Sequence, residues 1–161
     1  MRKPRRHKPT GSVIQGESDL AAILTALLDE ADGLHLYPGD RAIVADARDC
    51  EWEDGRCPKC GERLARMLAD IQEILSNYAE PYCYFGVDPG DGSSFGWWIN
   101  NDAIQDALRD GDIVQLEVHN NGETVLRGDF DQQPLYRLII NDHGNRTLQH
   151  RSNGRVIWEV V

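Results

Sequence analysis

No run of apolar residues in this chain is long enough to cross a bilayer, which excludes a membrane-spanning helix. The opening stretch MRKPRRHKPTGSVIQGES is basic, but no apolar segment follows it. A secretory signal is therefore not expected, and a cytoplasmic location is. A second C-x-x-C is missing, so the full zinc-ribbon signature is absent. Neither the calcium loop D-x-D-x-D-G nor a phosphate loop ending in G-K-[ST] occurs. No internal repeat is present either.

The 161 residues suffice for one domain with appendages, and 40% hydrophobic residues suffice for a core. The charge is unevenly spread. Five of the 17 basic residues (Arg2, Lys3, Arg5, Arg6 and Lys8) fall before position 10. That leaves 12 against 27 acidic residues, a net of −15 for the rest. An acidic body repels phosphates and makes a poor duplex binder by itself. Residues 1–16 read as a flexible basic arm, because Pro4, Pro9 and Gly11 interrupt it and it offers little to bury. The arm could contact phosphates or the acidic body.

Helical periodicity predicts a helix over ESDLAAILTALLDEAD, with Leu20, Ile23, Leu24, Leu27 and Leu28 as its apolar stripe. Ser18 is its expected N-cap and Gly33 its stop. YPGD then reads as a turn and RAIVA as a short strand. A polar loop leads into a second helix, ERLARMLADIQEILSNYAE, ended by Pro81. Its buried face is Leu64, Met67, Leu68, Ile71, Ile74, Leu75 and Tyr78. YCYFGV is a strand, DPGDGSSFG a loop, and NDAIQDALRDGD a short helix capped by Asn101 or Asp102. In IVQLEVH, Val114, Leu116 and Val118 share one face. NNGE is a hairpin turn. TVLRGDF, PLYRLIIN, RTLQHR and RVIWEVV complete the strands, and their close spacing predicts antiparallel neighbours. The expected fold is α+β: two amphipathic helices, an antiparallel β-meander and a zinc knuckle. Residues 17–161 are expected to form a single domain, with a helical half over 17–81 and a mostly β half over 82–161.

Four cysteines occur: Cys50, Cys57, Cys60 and Cys83. A tight turn lets the thiolates of CPKCG converge on one ion, and Gly61 relaxes the backbone there. Cys50 and Cys83 would complete a tetrahedron, with His35 in reserve. Four thiolates leave no open position, so such a zinc would be structural. Reduced thiols without metal are the bland alternative. A redox role is disfavoured, because Glu51, Glu53 and Asp54 would raise a neighbouring thiol's pKa. The expected absence of a signal segment disfavours a secreted disulfide framework.

The loop VDPGDGSSFGWW sets Asp88 and Asp91 beside aromatics. Phe95, Trp97 and Trp98 are either core anchors or a partner-binding surface. Asp142 and His143 sit among the turn formers Asn141, Gly144 and Asn145. The turn is the simpler reading of that stretch. His35, His119 and His150 stand alone in the sequence.

The stretches YFGVDPGDGSSFGWW, NDHGN and the closing IWEVV resemble a group of small uncharacterised proteins of bacteriophages and related mobile elements. The resemblance covers roughly the C-terminal half, with a gap from Asp102 to Gln133. Ser94 stands where the group usually has an acid, and Arg146 where it usually has an aliphatic residue. It implies a phage or mobile-element setting and a cytoplasmic location, and it carries no activity with it.

The expected function is a small cytoplasmic accessory or binding protein acting by protein–protein contact. The acidic body and Phe95, Trp97 and Trp98 would make that contact. A structural zinc would sit on Cys50, Cys57, Cys60 and Cys83. Charge alone motivates mimicry of nucleic acid. One alternative is a metal-dependent hydrolase using Asp88, Asp91, Asp142 and His143. Another is a DNA-associated regulator working through the basic arm. No membrane partner is expected.

Overall fold

The computed structural model describes residues 9–49, 58–127 and 134–161, with the side chains of 58–60 left out. Its helices and two sheets make it α+β. The chain divides into two compact units, Met1–Ala79 with Cys83–Trp98, and Glu80–Tyr82 with Ile99–Val161. The strands that follow the long helix thus belong with the helices. No described helix is long and apolar enough to cross a membrane.

The first unit contains β1 (Gly11–Ile14), α1 (Leu20–Asp32), α2 (Pro38–Arg48), α3 (Pro58–Asn77), β2 (Cys83–Val87) and β3 (Phe95–Ile99). Of the stripe predicted for α1, Ile23, Leu24, Leu27 and Leu28 are buried, whereas Leu20, the first residue of the helix, is 40% exposed. Its N-cap is Asp19 rather than Ser18. The Asp19 carboxylate accepts from the N–H of Ala21, while Ser18 lies one residue outside. On α3, Ile71, Ile74 and Leu75 are buried with Tyr78 just beyond its end, and Leu64, Met67 and Leu68 pack against the same core. Each fully buried leucine contributes about 1.5–3 kcal/mol. The helix ends at Asn77, before Pro81 is reached.

RAIVA is not a strand. It lies inside α2, which starts on Pro38, carries Asp40 in its first turn and Arg48 in its last, and buries Val44 and Ala47 three residues apart. Proline at the first helical position and charges matched to the helix dipole outweigh the β-branched pair. Asp40 ties α2 to α3. The Tyr78 hydroxyl donates to Asp40 at 2.6 Å and accepts from the N–H of Tyr37 at 2.7 Å. Burial first, and then the Asp40 hydrogen bond, pushes the Tyr78 hydroxyl pKa up.

Gly11–Ile14, within the stretch expected to be a flexible arm, is strand β1. It lies antiparallel to β3, in a three-stranded sheet of order β1-β3-β2. Residues 1–8 of that arm lie outside the described residues.

The second unit contains α4 (Asn101–Arg109), β4 (Ile113–Val118), β5 (Thr124–Arg127), β6 (Tyr136–Asn141), β7 (Arg146–His150) and β8 (Val156–Val160). The cap of α4 is Asn100, whose side chain accepts from the N–H of Ala103, and not Asn101 or Asp102. The five strands run in the order β5-β4-β6-β7-β8. The hairpin at NNGE forms as predicted, with Val118 opposite Thr124. The sheet is not a pure antiparallel meander, because β4 and β6 are parallel. β6 does not add beyond β5. It returns to the other flank of β4, and two reversals restore the direction of β4.

Register divides this sheet into two faces, because successive side chains alternate. Ile113, Leu138, Leu148 and Trp158 share one face and are fully buried. The side of α4 lies here too, since Arg146 on this face donates to the Asn101 side chain at 2.6 Å. Residues 81 and 82 cover the same face. Trp158 Nε1 donates to the Pro81 carbonyl at 2.9 Å, and the Tyr82 ring meets Tyr136 edge-on at 5.8 Å. Tyr82 has φ of 62°, a left-handed conformation that costs a non-glycine residue about 1 kcal/mol. The ring contact and the Asn100 N–H bonded to the Tyr82 carbonyl hold it there.

Candidate functional site

The glycine-and-tryptophan loop is built around one carboxylate. Asp91 accepts from the Ser93 N–H and from the hydroxyls of Ser93 and Ser94, the last two both at 2.7 Å. The Ser94 hydroxyl first, and then Ser93, hold its carboxyl down at about 2. Asp88 accepts from the N–H of Gly90 at 2.7 Å, and its own N–H donates to the Ser94 carbonyl. Both acids are thus used as turn-builders by their own loop.

The three aromatics beside this loop separate by burial. Trp97 is 1% exposed, meets Phe85 edge-on at 4.9 Å and donates Nε1 to Glu30 at 2.8 Å. Phe95 and Trp98 are half-buried, and Trp98 Nε1 donates to the Gly86 carbonyl at 2.9 Å. Alternation along β3 sends Trp97 into the core and its neighbour Trp98 to the other side.

Cys50 and Cys57 lie outside the described residues, as does the Cys60 side chain. The backbone of Cys60 falls in the first turn of α3, which begins at Pro58. Cys83 is half-buried at the start of β2 and packs against the core of the first unit. Among the described residues, no three His, Cys, Asp or Glu side chains gather as a metal would need.

Asp88 and Asp91 belong to the first unit, Asp142 and His143 to the second. Asn141 builds the turn around His143, since its side chain accepts from the N–H groups of His143 and Asn145, both at 3.0 Å. Gly144 completes it at φ of 80°. Asp142 reaches away to the β4–β5 turn, where it accepts from the Asn120 N–H and meets His119 Nδ1 at 2.6 Å. The Asn120 N–H first, and then His119, lower its carboxyl pKa. His119 looks isolated in the sequence. Parallel pairing sets Val118 beside Asn141 and so brings the two turns to one end of the sheet.

The second face of the five-stranded sheet is covered at the Val114 end, where that residue is 4% exposed, and less covered beyond it. Leu116, Val118, Leu126 and Ile139 share it by register. Leu126 is 51% exposed and the other three are half-buried. α4, the one helix of this unit among the described residues, lies on the opposite face. Arg137 and Glu159 stand on the aliphatic face as well. The Arg137 Nη2 donates to Gln149 at 3.2 Å, while its Nε is buried without a hydrogen-bond partner. Glu159 accepts from the Thr147 hydroxyl at 3.3 Å.

No protein-family model, curated protein or solved structure matches the chain.

Proposed function

We propose that this chain is an accessory protein that works by contact with another protein. The observation that carries this reading is the aliphatic face of Leu116, Val118, Leu126 and Ile139 on β4, β5 and β6. Contiguous exposed apolar surface is costly to keep in water and marks interaction sites. The bacterial cytoplasm, in a phage or mobile-element setting, is the location proposed with it, on the resemblance carried by YFGVDPGDGSSFGWW, NDHGN and IWEVV.

The test is quantitative capture from a bacterial extract by the tagged wild type, by Leu126→Lys and by Leu20→Lys. Leu20 is a comparably exposed leucine of the other unit. A protein retained by the wild type and by Leu20→Lys, but lost with Leu126→Lys, supports the reading. Equal retention by all three contradicts it.

The spacing Cys57-Pro58-Lys59-Cys60 supports a structural zinc in the same protein. Elemental analysis is expected to find one zinc per chain, lost in both Cys57→Ser and Cys60→Ser. A folded, metal-free wild type would sink this part of the proposal.

A further inference from the structure

One end of the mixed sheet holds a histidine and a carboxylate whose bonding leaves a single ring nitrogen free. Parallel pairing of β4 and β6 sets the β4–β5 turn beside the β6–β7 turn. The same pair of backbone bonds closes each turn. In the first, the His119 N–H donates to the Glu123 carbonyl and the Gly122 N–H to the His119 carbonyl, both at 2.9 Å. In the second, the Asn141 N–H donates to the Asn145 carbonyl at 3.2 Å and the Gly144 N–H to the Asn141 carbonyl at 2.9 Å. Between these turns His119 Nδ1 meets one Asp142 oxygen at 2.6 Å, while the other oxygen accepts from the Asn120 N–H. The Asn120 bond first, and then His119, keep the Asp142 carboxyl ionised at neutral pH. An ionised carboxylate only accepts, so Nδ1 carries the proton. In the neutral imidazole the lone pair is then on Nε2. None of the described residues bonds to Nε2. The His119 and Asp142 side chains are 40% and 27% exposed, so a small molecule can reach that nitrogen.

We propose that His119 Nε2 is a catalytic nucleophile for acyl transfer from small uncharged esters, with Asp142 as its positioning residue. A clasp between two turns needs only the Nδ1 contact. Here that contact also fixes the tautomer that a nucleophilic imidazole requires. The Nε2 lone pair attacks the ester carbonyl carbon. A C–N bond forms, the C–O bond to the leaving group breaks, and that group departs with the electron pair. The acylated ring keeps its Nδ1 proton, and the Asp142 carboxylate offsets its positive charge. Water then adds to the acyl carbon, the C–N bond breaks, and its electrons return to Nε2. The products are the free acid and the alcohol, with the water's second proton passing through solvent to the departed alkoxide. Charge selects the substrate. Glu123 closes the same turn as His119, Asp142 is an anion, and the chain's formal net charge is −10. Anionic esters and phosphoryl donors are therefore repelled.

The probe is p-nitrophenyl acetate, an uncharged ester, with release of p-nitrophenolate followed on the full chain. Four proteins are compared: wild type, His119→Gln, Asp142→Asn and His150→Gln. His119→Gln is expected to lower the rate above background by at least about tenfold, within what one positioned side chain supplies. Asp142→Asn should lower it too, because an amide can donate to Nδ1 and so reverse the tautomer. His150, at the opposite end of β7, is the control, and His150→Gln should leave the rate unchanged. Nitrogen NMR of the imidazoles supplies the readout that a mere clasp would not move. Neutral His119 is expected to carry its proton on Nδ1 in the wild type and on Nε2 in Asp142→Asn. A wild type with the proton on Nε2 overturns the proposal. Equal rates in the wild type and His119→Gln overturn it as well, as does a loss shared by His150→Gln. Where His119→Gln fails to fold, the wild-type acyl adduct decides. After a rapid acid quench, an acetyl group mapped to His119 supports the proposal, and acetyl groups on other residues alone overturn it.

Discussion

A Cβ on Gly96 would overlap the carbonyl of Gly11, because β1 crosses β3 with no space for a side chain. Gly96→Ala is therefore expected to destabilise the first unit by about 1–3 kcal/mol, read from the urea midpoint. An unchanged midpoint would mean that the close crossing is wrong. Asp91 gives a pH-dependent case. Its carboxyl is depressed from 3.8 to about 2 by the Ser94 and Ser93 hydrogen bonds. A depressed carboxyl stabilises the fold above its unfolded pKa, and that contribution disappears as pH falls through its folded value. Asp91→Asn should thus melt below the wild type near pH 6, with the gap closing by about pH 2. A gap that persists at about pH 2 would show that the serine bonds are not the cause. Both residues lie in a stretch whose turn chemistry is legible in the sequence. What was not legible there is the fate of each aromatic. Trp97 and Trp98 are chemically identical, and only the phase of β3 against the core separates them.

At the scale of elements, periodicity carried the prediction wherever a segment buries one clear side. The stripe of α1, the stripe of α3 and the Asn-Gly hairpin were all readable. α2 was not, because its two buried residues, Val44 and Ala47, are too few for a stripe, and Ile43, at 44% exposed, points away. Its hold on the unit depends on a polar contact that no local pattern reveals. Tyr78→Phe removes the hydroxyl that donates to Asp40 and accepts from Tyr37. It is expected to cost about 1–3 kcal/mol in thermal or urea unfolding, with greater amide exchange in α2. A variant as stable as the wild type would show that α2 is held otherwise. The parallel pairing of β4 and β6 was likewise hidden. Hairpin signals report which strands are joined by tight turns, not which flank a later strand returns to. That pairing is what brings Asp142 to His119, two residues 23 positions apart.

At the scale of the whole molecule, the α+β class followed from the order of helical and alternating segments. The alternation of Val114, Leu116 and Val118 was visible too. Which face of their sheet α4 would cover was not, because that depends on the register of four other strands. The account's central claim is that the remaining face, around Leu126 and Ile139, is where another protein chain sits. Hydroxyl-radical footprinting tests it most directly. The tagged wild type is oxidised dilute and alone, concentrated, and in bacterial extract before recovery, and side-chain oxidation is read residue by residue. The account predicts reduced oxidation at Leu126 and Ile139 in the concentrated sample or the extract, with Leu20 and Tyr37 unchanged. Oxidation of Leu126 and Ile139 that stays the same in all three samples would contradict it.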